Sequence, residues 1–141
     1  KVSESTGKCF GTISLGHNVA RDETELSNSI LIRKGEKIPC SVTESFFTVI
    51  DGQEGVNCQV TESTAAETDP RFVKIIWKGE LELPPDRPAN QEIKVTFSYD
   101  ENQIMKCSFV DVATDRETTI DLSLAESASD GADEIEKFLV E

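Results

Sequence analysis

Hydrophobic and polar residues alternate along short segments of this chain, and the alternation recurs over most of its length. In the three clearest segments the inward-facing residues are Ile93, Val95 and Phe97, then Met105, Cys107 and Phe109, then Ile120, Leu122 and Leu124. A period of two is typical of antiparallel strands with one buried face, because successive side chains of a strand point to opposite faces. The pattern predicts strands over 9–14, 17–20, 29–34, 42–50, 55–63, 72–78, 92–99, 103–110 and 117–124.

Turn-forming residues separate these segments about every ten residues, as is typical of an all-β domain. The connections 100–102 and 114–116 are short and polar, which favours tight hairpins. The segment 83–88 contains three prolines, so it is predicted to be a stiff crossover and not the interior of a strand. The whole pattern predicts a mainly β fold, an antiparallel β-sandwich with two sheets of about four strands.

The most informative segment is the predicted hairpin over 40–63, which turns at Asp51 and Gly52. Its apolar residues are Phe46, Phe47, Val49 and Ile50 in the first strand and Val56, Cys58 and Val60 in the second. This is more apolar surface than one sheet face can bury within its own core. We therefore expect part of this surface to bind another molecule.

The last residues change from the period of a strand to that of a helix. Asp130 or Asp133 is a suitable N-cap for a helix that carries Ile135, Phe138 and Leu139 on one stripe. A helix of about two turns is marginally stable alone, which suggests that a longer helical segment follows. The chain also begins without methionine, so we expect it to be part of a longer protein.

These patterns divide the chain into three parts. Residues 1–8 are polar and are expected to be the remnant of a linker, 9–126 form the β-sandwich, and 127–141 begin the helical segment. With 141 residues the chain is long enough for one domain with its own core.

Net charge and hydropathy exclude two classes of partner. The formal net charge is -13, which would repel polyanions, so no nucleic-acid partner is expected. No apolar run approaches the length needed to cross a bilayer, and the polar N-terminus lacks the apolar region of a signal peptide. The sequence therefore predicts a soluble chain with no membrane partner.

The four cysteines, Cys9, Cys40, Cys58 and Cys107, form no C-x-x-C pair. Without a secretion signal, reduced thiols in the cytoplasm are favoured over disulfides, and buried hydrophobic roles are favoured for Cys58 and Cys107. The even number of cysteines leaves an extracellular, disulfide-bonded alternative open.

No catalytic motif accompanies this pattern. His17 is the only imidazole, and neither G-x-x-x-x-G-K-[ST] nor G-x-G-x-x-G occurs. With one histidine and widely spaced cysteines, a zinc set is not expected. We therefore expect this chain alone to be no enzyme, with no catalytic residue, metal or cofactor.

Four stretches, in order, resemble the seventy-kilodalton heat-shock (DnaK-like) chaperones in their C-terminal peptide-binding β-sandwich, and mark the chain as a divergent member. They are TISLG at 12–16, ILIRKGEKIP at 30–39, Phe46 followed by DGQEGV at 51–56, and the proline-rich 79–88 followed by IKVTF at 93–97. Each motif alone is weak, but four in order at compatible spacing are fairly specific. The resemblance covers about residues 9–141.

The resemblance implies a channel that holds extended apolar segments of unfolded proteins, with one deep pocket for a large aliphatic side chain. By matching position, the pocket residues would be Phe46, Val56, Cys58, Ile93 and His17, and the arch over the peptide would use Val49 and a residue near Ala20. The resemblance also implies that residues 127–141 begin a helical lid. For the whole protein it implies an ATPase domain that precedes residue 1 and binds ATP, together with a J-domain cochaperone and a nucleotide exchange factor.

The sequence departs from the family pattern at several of these positions. His17 replaces an apolar residue and Cys58 is smaller than the usual isoleucine, so the pocket is expected to be wider or more polar and pH-sensitive. The first loop is expected to be about four residues longer, over 21–28. Gln103 stands where the family has glycine, so that hairpin turn is expected to differ.

Two alternatives remain open at this point. An immunoglobulin-like adhesion sandwich would have no peptide channel; a cysteine pair bridging the sheets would favour it, and free thiols would count against it. A relic of the chaperone fold would bind only a dedicated partner. In either case Phe46, Val56, Cys58 and Ile93 would be ordinary core residues.

Overall fold

A computed structural model describes residues 4–124, without the side chains of His17 and Asn18. The predicted helix and lid over 127–141 lie outside the described residues. The elements are β1 (Glu4–Ser5), β2 (Cys9–Asn18), β3 (Glu23–Ile32), β4 (Lys37–Ile38), β5 (Cys40–Phe47), β6 (Gly55–Ser63), a 3₁₀ turn (Pro70–Phe72), β7 (Lys74–Glu82), β8 (Glu92–Tyr99), β9 (Ile104–Asp111) and β10 (Arg116–Ser123).

The strands form two four-stranded sheets and a small two-stranded ribbon. One sheet has the order β10-β9-β8-β5, the other has the order β3-β2-β6-β7, and β1 pairs with β4. All neighbouring strands are antiparallel. The predicted antiparallel sandwich of two four-stranded sheets is confirmed.

The core lies between the two sheets, as the alternation predicts. In β8 and β9 every second side chain is buried. The Phe97 and Phe109 rings meet edge to face with centroids 6.5 Å apart, and Trp77 from the other sheet stacks on Phe109 at 6.0 Å. The largest fully buried residues are Phe97, Phe109, Ile32, Met105 and Val60.

The hairpin of β2 and β3 differs most from the sequence-based expectation. Two strands were predicted over 9–14 and 17–20, but β2 is continuous to Asn18, and β3 begins at Glu23 instead of residue 29. Segment 21–28, expected to be a longer loop, is mostly strand, with Leu26 paired to Leu15 and Asp22 at φ 51° in the turn. Ser14 and Gly16 resemble turn residues, but cross-strand pairing with β3 gives their backbone an extended partner.

Other boundaries shift by a few residues. The strand predicted over 42–50 is β5, which begins at Cys40 and ends at Phe47. Residue 72 belongs to the 3₁₀ turn, which Asp69 caps by accepting a hydrogen bond from the Arg71 N–H at 2.9 Å. Strand β7 then continues to Glu82.

Part of the expected linker remnant over 1–8 is paired in the fold. Glu4 and Ser5 form β1 against β4, and the Thr6 N–H donates to the Glu36 carbonyl at 2.9 Å. The Thr6 hydroxyl donates to the Arg33 carbonyl at 2.8 Å. Residues 4–6 are therefore held against the segment that joins β3 to β4.

Two features fix the base of the β2–β3 hairpin. A Cβ on Gly11 would lie 2.3 Å from the carbonyl oxygen of Ser29, so only glycine fits where the pairing of β2 and β3 is bulged. The buried Thr61 hydroxyl donates to Asn28 Oδ1 at 2.6 Å, and Asn28 Nδ2 donates to the Glu67 carbonyl at 2.9 Å. These bonds tie β3 to β6 and to the loop after it.

Candidate functional site

Strands β2 and β6 separate after a short paired stretch. They pair only over Cys9–Gly11 and Thr61–Ser63, while β2 continues with β3 to Asn18 and β6 begins at Gly55. The last link between them is a hydrogen bond from the Thr12 hydroxyl to the Gln59 carbonyl at 2.8 Å. Within residues 4–124 no strand fills the gap beyond this link, so the sheet is open between two of its inner strands.

A cavity of about 350 Å³ occupies this gap and reaches the opposite sheet. Its lining residues come from both strands at the gap, from β3 and β5, from the connection between β5 and β6, and from β8 and β9. They are Thr12, Ile13, Ser14, Leu15, Leu26, Phe46, Phe47, Thr48, Val49, Gln53, Val56, Asn57, Gln59, Ile93, Val95 and Phe109. The cavity therefore runs from the surface of one sheet to the core side of the other.

The floor of this cavity is apolar, and its mouth carries exposed apolar side chains beside polar ones. The floor residues Ile93, Val95 and Phe109 are buried. At the mouth, Leu26 is 60% exposed and Phe47 is 55% exposed. Exposed apolar side chains grouped around an apolar cavity are typical of a binding site.

The rim loop, defined as residues 48–54, forms one side of the mouth and is held by hydrogen bonds. Gln53 Oε1 accepts from the Val49 N–H at 3.1 Å, and Gln53 Nε2 donates to the Gly55 carbonyl at 3.0 Å. The buried Thr48 hydroxyl accepts from the Gln91 N–H at 2.9 Å. These bonds fix the loop without covering the cavity.

The structure brings together four of the seven predicted site residues. Phe46, Val49, Val56 and Ile93 all line the cavity. Of these, Ile93 belongs to the buried floor and Val49 is exposed at the rim. Because Phe46 pairs directly with Ile93, both are held by the β5–β8 ladder.

Of the remaining three predicted residues, Cys58 and Ala20 are not among the lining residues, and the side chain of His17 is not described. Cys58 is 0% exposed and belongs to the core between the sheets. Ala20 is exposed in the turn between β2 and β3. His17 pairs with Thr24 in that hairpin, and its side chain lies outside the described residues.

Sequence reasoning missed several lining residues. Val95 and Phe109 alternate in the same way as ordinary core residues, so the pattern could not distinguish a cavity floor from a filled core. Leu26 had a usable signal, because it is an isolated leucine in the polar stretch ETELSNS that the structure places on an exposed strand. Its pairing with Leu15 could not be foreseen while 21–28 was expected to be a loop.

Burial controls the chemistry of the cysteines in the core. Removal from water raises the pKa of the Cys58 thiol from 9.0 to about 12, and the pKa of Cys107 also to about 12. All four cysteines are free thiols. The disulfide that would have favoured an adhesion sandwich is therefore not formed.

We expect Cys58 and Cys107 to resist alkylation by iodoacetamide at pH 8 in the folded protein, since about 10⁻⁴ of each thiol is ionised there. Mass spectrometry of peptides after a timed pulse measures this, with a guanidinium-unfolded sample as the control in which all four react. Because unfolded thiols ionise near pH 9, the free energy of unfolding should fall as the pH rises from about 9 towards 12. Rapid labelling of Cys58 in the folded protein would contradict its burial.

Other kinds of site find no support in the part of the chain that the structure describes. Residues 4–124 contain no group of three or more histidine, cysteine or acidic residues placed to hold a metal ion. The same residues contain no helix long and apolar enough to cross a membrane.

A family model and several known proteins match this chain. The family model for the Hsp70 protein matches residues 13–141. Heat shock 70 kDa protein 2 of Paracoccidioides lutzii is 33% identical over 112 residues, which is 79% of this chain and 17% of that protein. Chaperone protein dnaK1 of Synechocystis is 34% identical over 110 residues, or 77% of this chain and 15% of that protein.

A third relative is Chaperone protein DnaK of Ureaplasma parvum, 32% identical over 117 residues, which is 79% of this chain and 18% of that protein. The chain thus spans less than a fifth of the length of these relatives. The family model nevertheless covers most of the chain, and the identities exceed 30%. On these grounds the chain belongs to the Hsp70 family.

Proposed function

We propose that this chain is the client-peptide-binding domain of an ATP-dependent chaperone, which holds extended apolar segments of unfolded proteins. The observation that carries this proposal is the open-mouthed apolar cavity between the separated strands β2 and β6. The sandwich over 9–126 would be the binding unit, and 127–141 would begin its lid.

The gap suits an extended peptide because both of its sides are strands. Beyond Gly11, the side of β2 that faces β6 has no strand partner within the described residues. An extended client can bond to main-chain groups of this kind whatever its own side chains are. Backbone recognition of this type accepts many sequences.

The cavity adds a preference for one large aliphatic side chain. Its volume of about 350 Å³ and its buried floor suit a leucine-like residue that enters from the mouth. Burying one such side chain contributes ~1.5–3 kcal/mol, and each backbone hydrogen bond adds roughly 0.5–1.5 kcal/mol. After the entropic cost of ordering the peptide is subtracted, a Kd on the order of micromolar is expected. Binding of this strength suits transient capture of an unfolded segment.

For the whole protein we propose the partners that chaperone relatives suggest. A separate domain would bind and hydrolyse ATP, and a J-domain cochaperone and a nucleotide exchange factor would act with it. The chain itself would carry no catalysis and no cofactor. Four free thiols suit a reducing compartment such as the cytoplasm.

We expect the protein to bind the labelled heptapeptide NRLLLTG saturably, with a Kd on the order of micromolar. Fluorescence anisotropy measures this, and NRSSSTG, of equal length and charge, is the control that should bind far more weakly. No binding of NRLLLTG at high concentration, with the fold intact by circular dichroism, would contradict the proposal. That result would leave a chaperone-fold relic.

A further inference from the structure

The crossover, defined as residues 83–91 between β7 and β8, lies against the rim loop and is bonded to its tip. The Gly52 N–H donates to the Arg87 carbonyl at 2.7 Å, and the Ala89 N–H donates to Asp51 Oδ1 at 2.9 Å. Gly52 has φ 72°, a conformation that suits glycine and directs the chain through the turn. The tip of the rim is thus attached to the crossover and not only to its own strands.

The crossover is in turn attached to the core through the side chain of Arg87. Its Nη2 donates to Asp111 Oδ1 at 3.2 Å, and its Nη1 lies 3.2 Å from Asp111 Oδ2 without hydrogen-bond alignment. Asp111 is 0% exposed, and Arg87 is 18% exposed. The Thr114 hydroxyl also donates to Asp111 Oδ2 at 2.5 Å, which fixes the carboxylate.

Asp111 connects this anchor to the floor of the cavity. It ends β9 and pairs with Ile93 of β8, one of the floor residues. A continuous path of contacts therefore runs from the floor through Asp111 and Arg87 to Gly52 at the tip of the rim loop. The Arg87 side chain is therefore one of the links that fix the tip of the rim loop relative to the floor.

We propose that Arg87 is a positioning residue that holds the rim loop in place at the mouth of the cavity and so slows peptide dissociation; this role rests on the proposed function. A buried ion pair adds little net stability, because desolvation of both charges offsets their attraction. The aligned hydrogen bond from Nη2 and the close approach of Nη1 to a buried carboxylate are instead suited to holding a loop in one position. Arg87 does not line the cavity, so it acts through Gly52 and the rim.

The chain offers a matched control in a second arginine–aspartate pair. Arg71 Nη2 lies 2.7 Å from Asp69 Oδ2, but this pair is exposed and belongs to the 3₁₀ turn, and neither residue lines the cavity. Arg71→Gln therefore makes the same chemical change without touching the rim.

We expect Arg87→Gln to raise the dissociation rate of labelled NRLLLTG by roughly 2- to 10-fold, because one or two groups of the rim loop lose their fixed position. Arg71→Gln should leave this rate unchanged. Stopped-flow competition measures the rate. Amide hydrogen exchange at Gly52 should also become faster in Arg87→Gln, which a general loss of stability would not confine to the rim.

Asp51→Ala is the second variant, because Asp51 is exposed and its loss removes only the bond to Ala89. Asp51→Ala should also raise the dissociation rate of the peptide while the melting temperature stays unchanged. It therefore tests the proposal even if Arg87→Gln folds poorly. Unchanged dissociation in a folded Arg87→Gln and in Asp51→Ala would overturn the positioning role. If the wild-type protein binds no peptide, the proposed function itself fails.

Discussion

Val56→Phe is expected to weaken binding of the NRLLLTG peptide by roughly 10- to 100-fold, because the larger ring would occupy space that the client's aliphatic side chain needs. Val56 lies near the start of β6, is half-buried and lines the cavity. Loss of one buried aliphatic side chain from the interface removes ~1.5–3 kcal/mol of binding free energy, which gives the expected range of the change in Kd. Anisotropy titration of wild type and variant measures the change in Kd.

Val110→Phe is the matched control for this substitution. Val110 is a half-buried valine of β9 that pairs with Glu117 and does not line the cavity. It should bind the peptide with wild-type affinity. Equal affinities for Val56→Phe, Val110→Phe and wild type, with all three folded, would mean that the peptide binds elsewhere.

Phe97→Ala is expected to lower the free energy of unfolding by ~3–5 kcal/mol, the usual cost of removing a large aromatic side chain from a packed core. Phe97 is fully buried and contacts Phe109, which Trp77 covers from the opposite sheet. Urea denaturation measures the loss, and the fluorescence of Trp77, the only tryptophan, reports the transition.

Phe72→Ala makes the same change at an exposed position and serves as the control. Phe72 is 65% exposed in the 3₁₀ turn, so its removal should change the free energy of unfolding by less than about 1 kcal/mol. Similar losses for both variants would show that Phe97 does not lie in a packed core between the sheets.

The sandwich could be predicted from the sequence because hydrophobic and polar residues alternate without interruption along the consecutive strands β8, β9 and β10. Strand β8 was predicted with the bounds that the structure gives it, and β9 and β10 differ by one residue at each end. Each of these strands has one buried face and one solvent-exposed face, so hydrophobic and polar residues alternate along its sequence. The predicted boundaries of β2 were wrong because Ser14 and Gly16, within the strand, resemble turn residues.

The cavity could not be predicted from alternation, because the pattern records which face of a strand is buried and not which strand lies beside it. Val56 and Cys58 illustrate this. They share a face of β6, but Cys58 lies in the core while Val56 lines the cavity. The difference depends on where β2 leaves β6, which a local pattern of polarity does not encode.

The hairpin of β2 and β3 is fixed at its base, whereas beyond Gly11 its strand β2 no longer pairs with β6. From Gly11 to Asn18 it extends roughly 23 Å at about 3.3 Å per residue. A tilt of about 5° around the base moves the far end by about 2 Å, a displacement comparable to half the spacing between neighbouring strands. Under the proposed function, a small tilt of this hairpin would admit a stretched polypeptide while the two layers of the sandwich stay in contact.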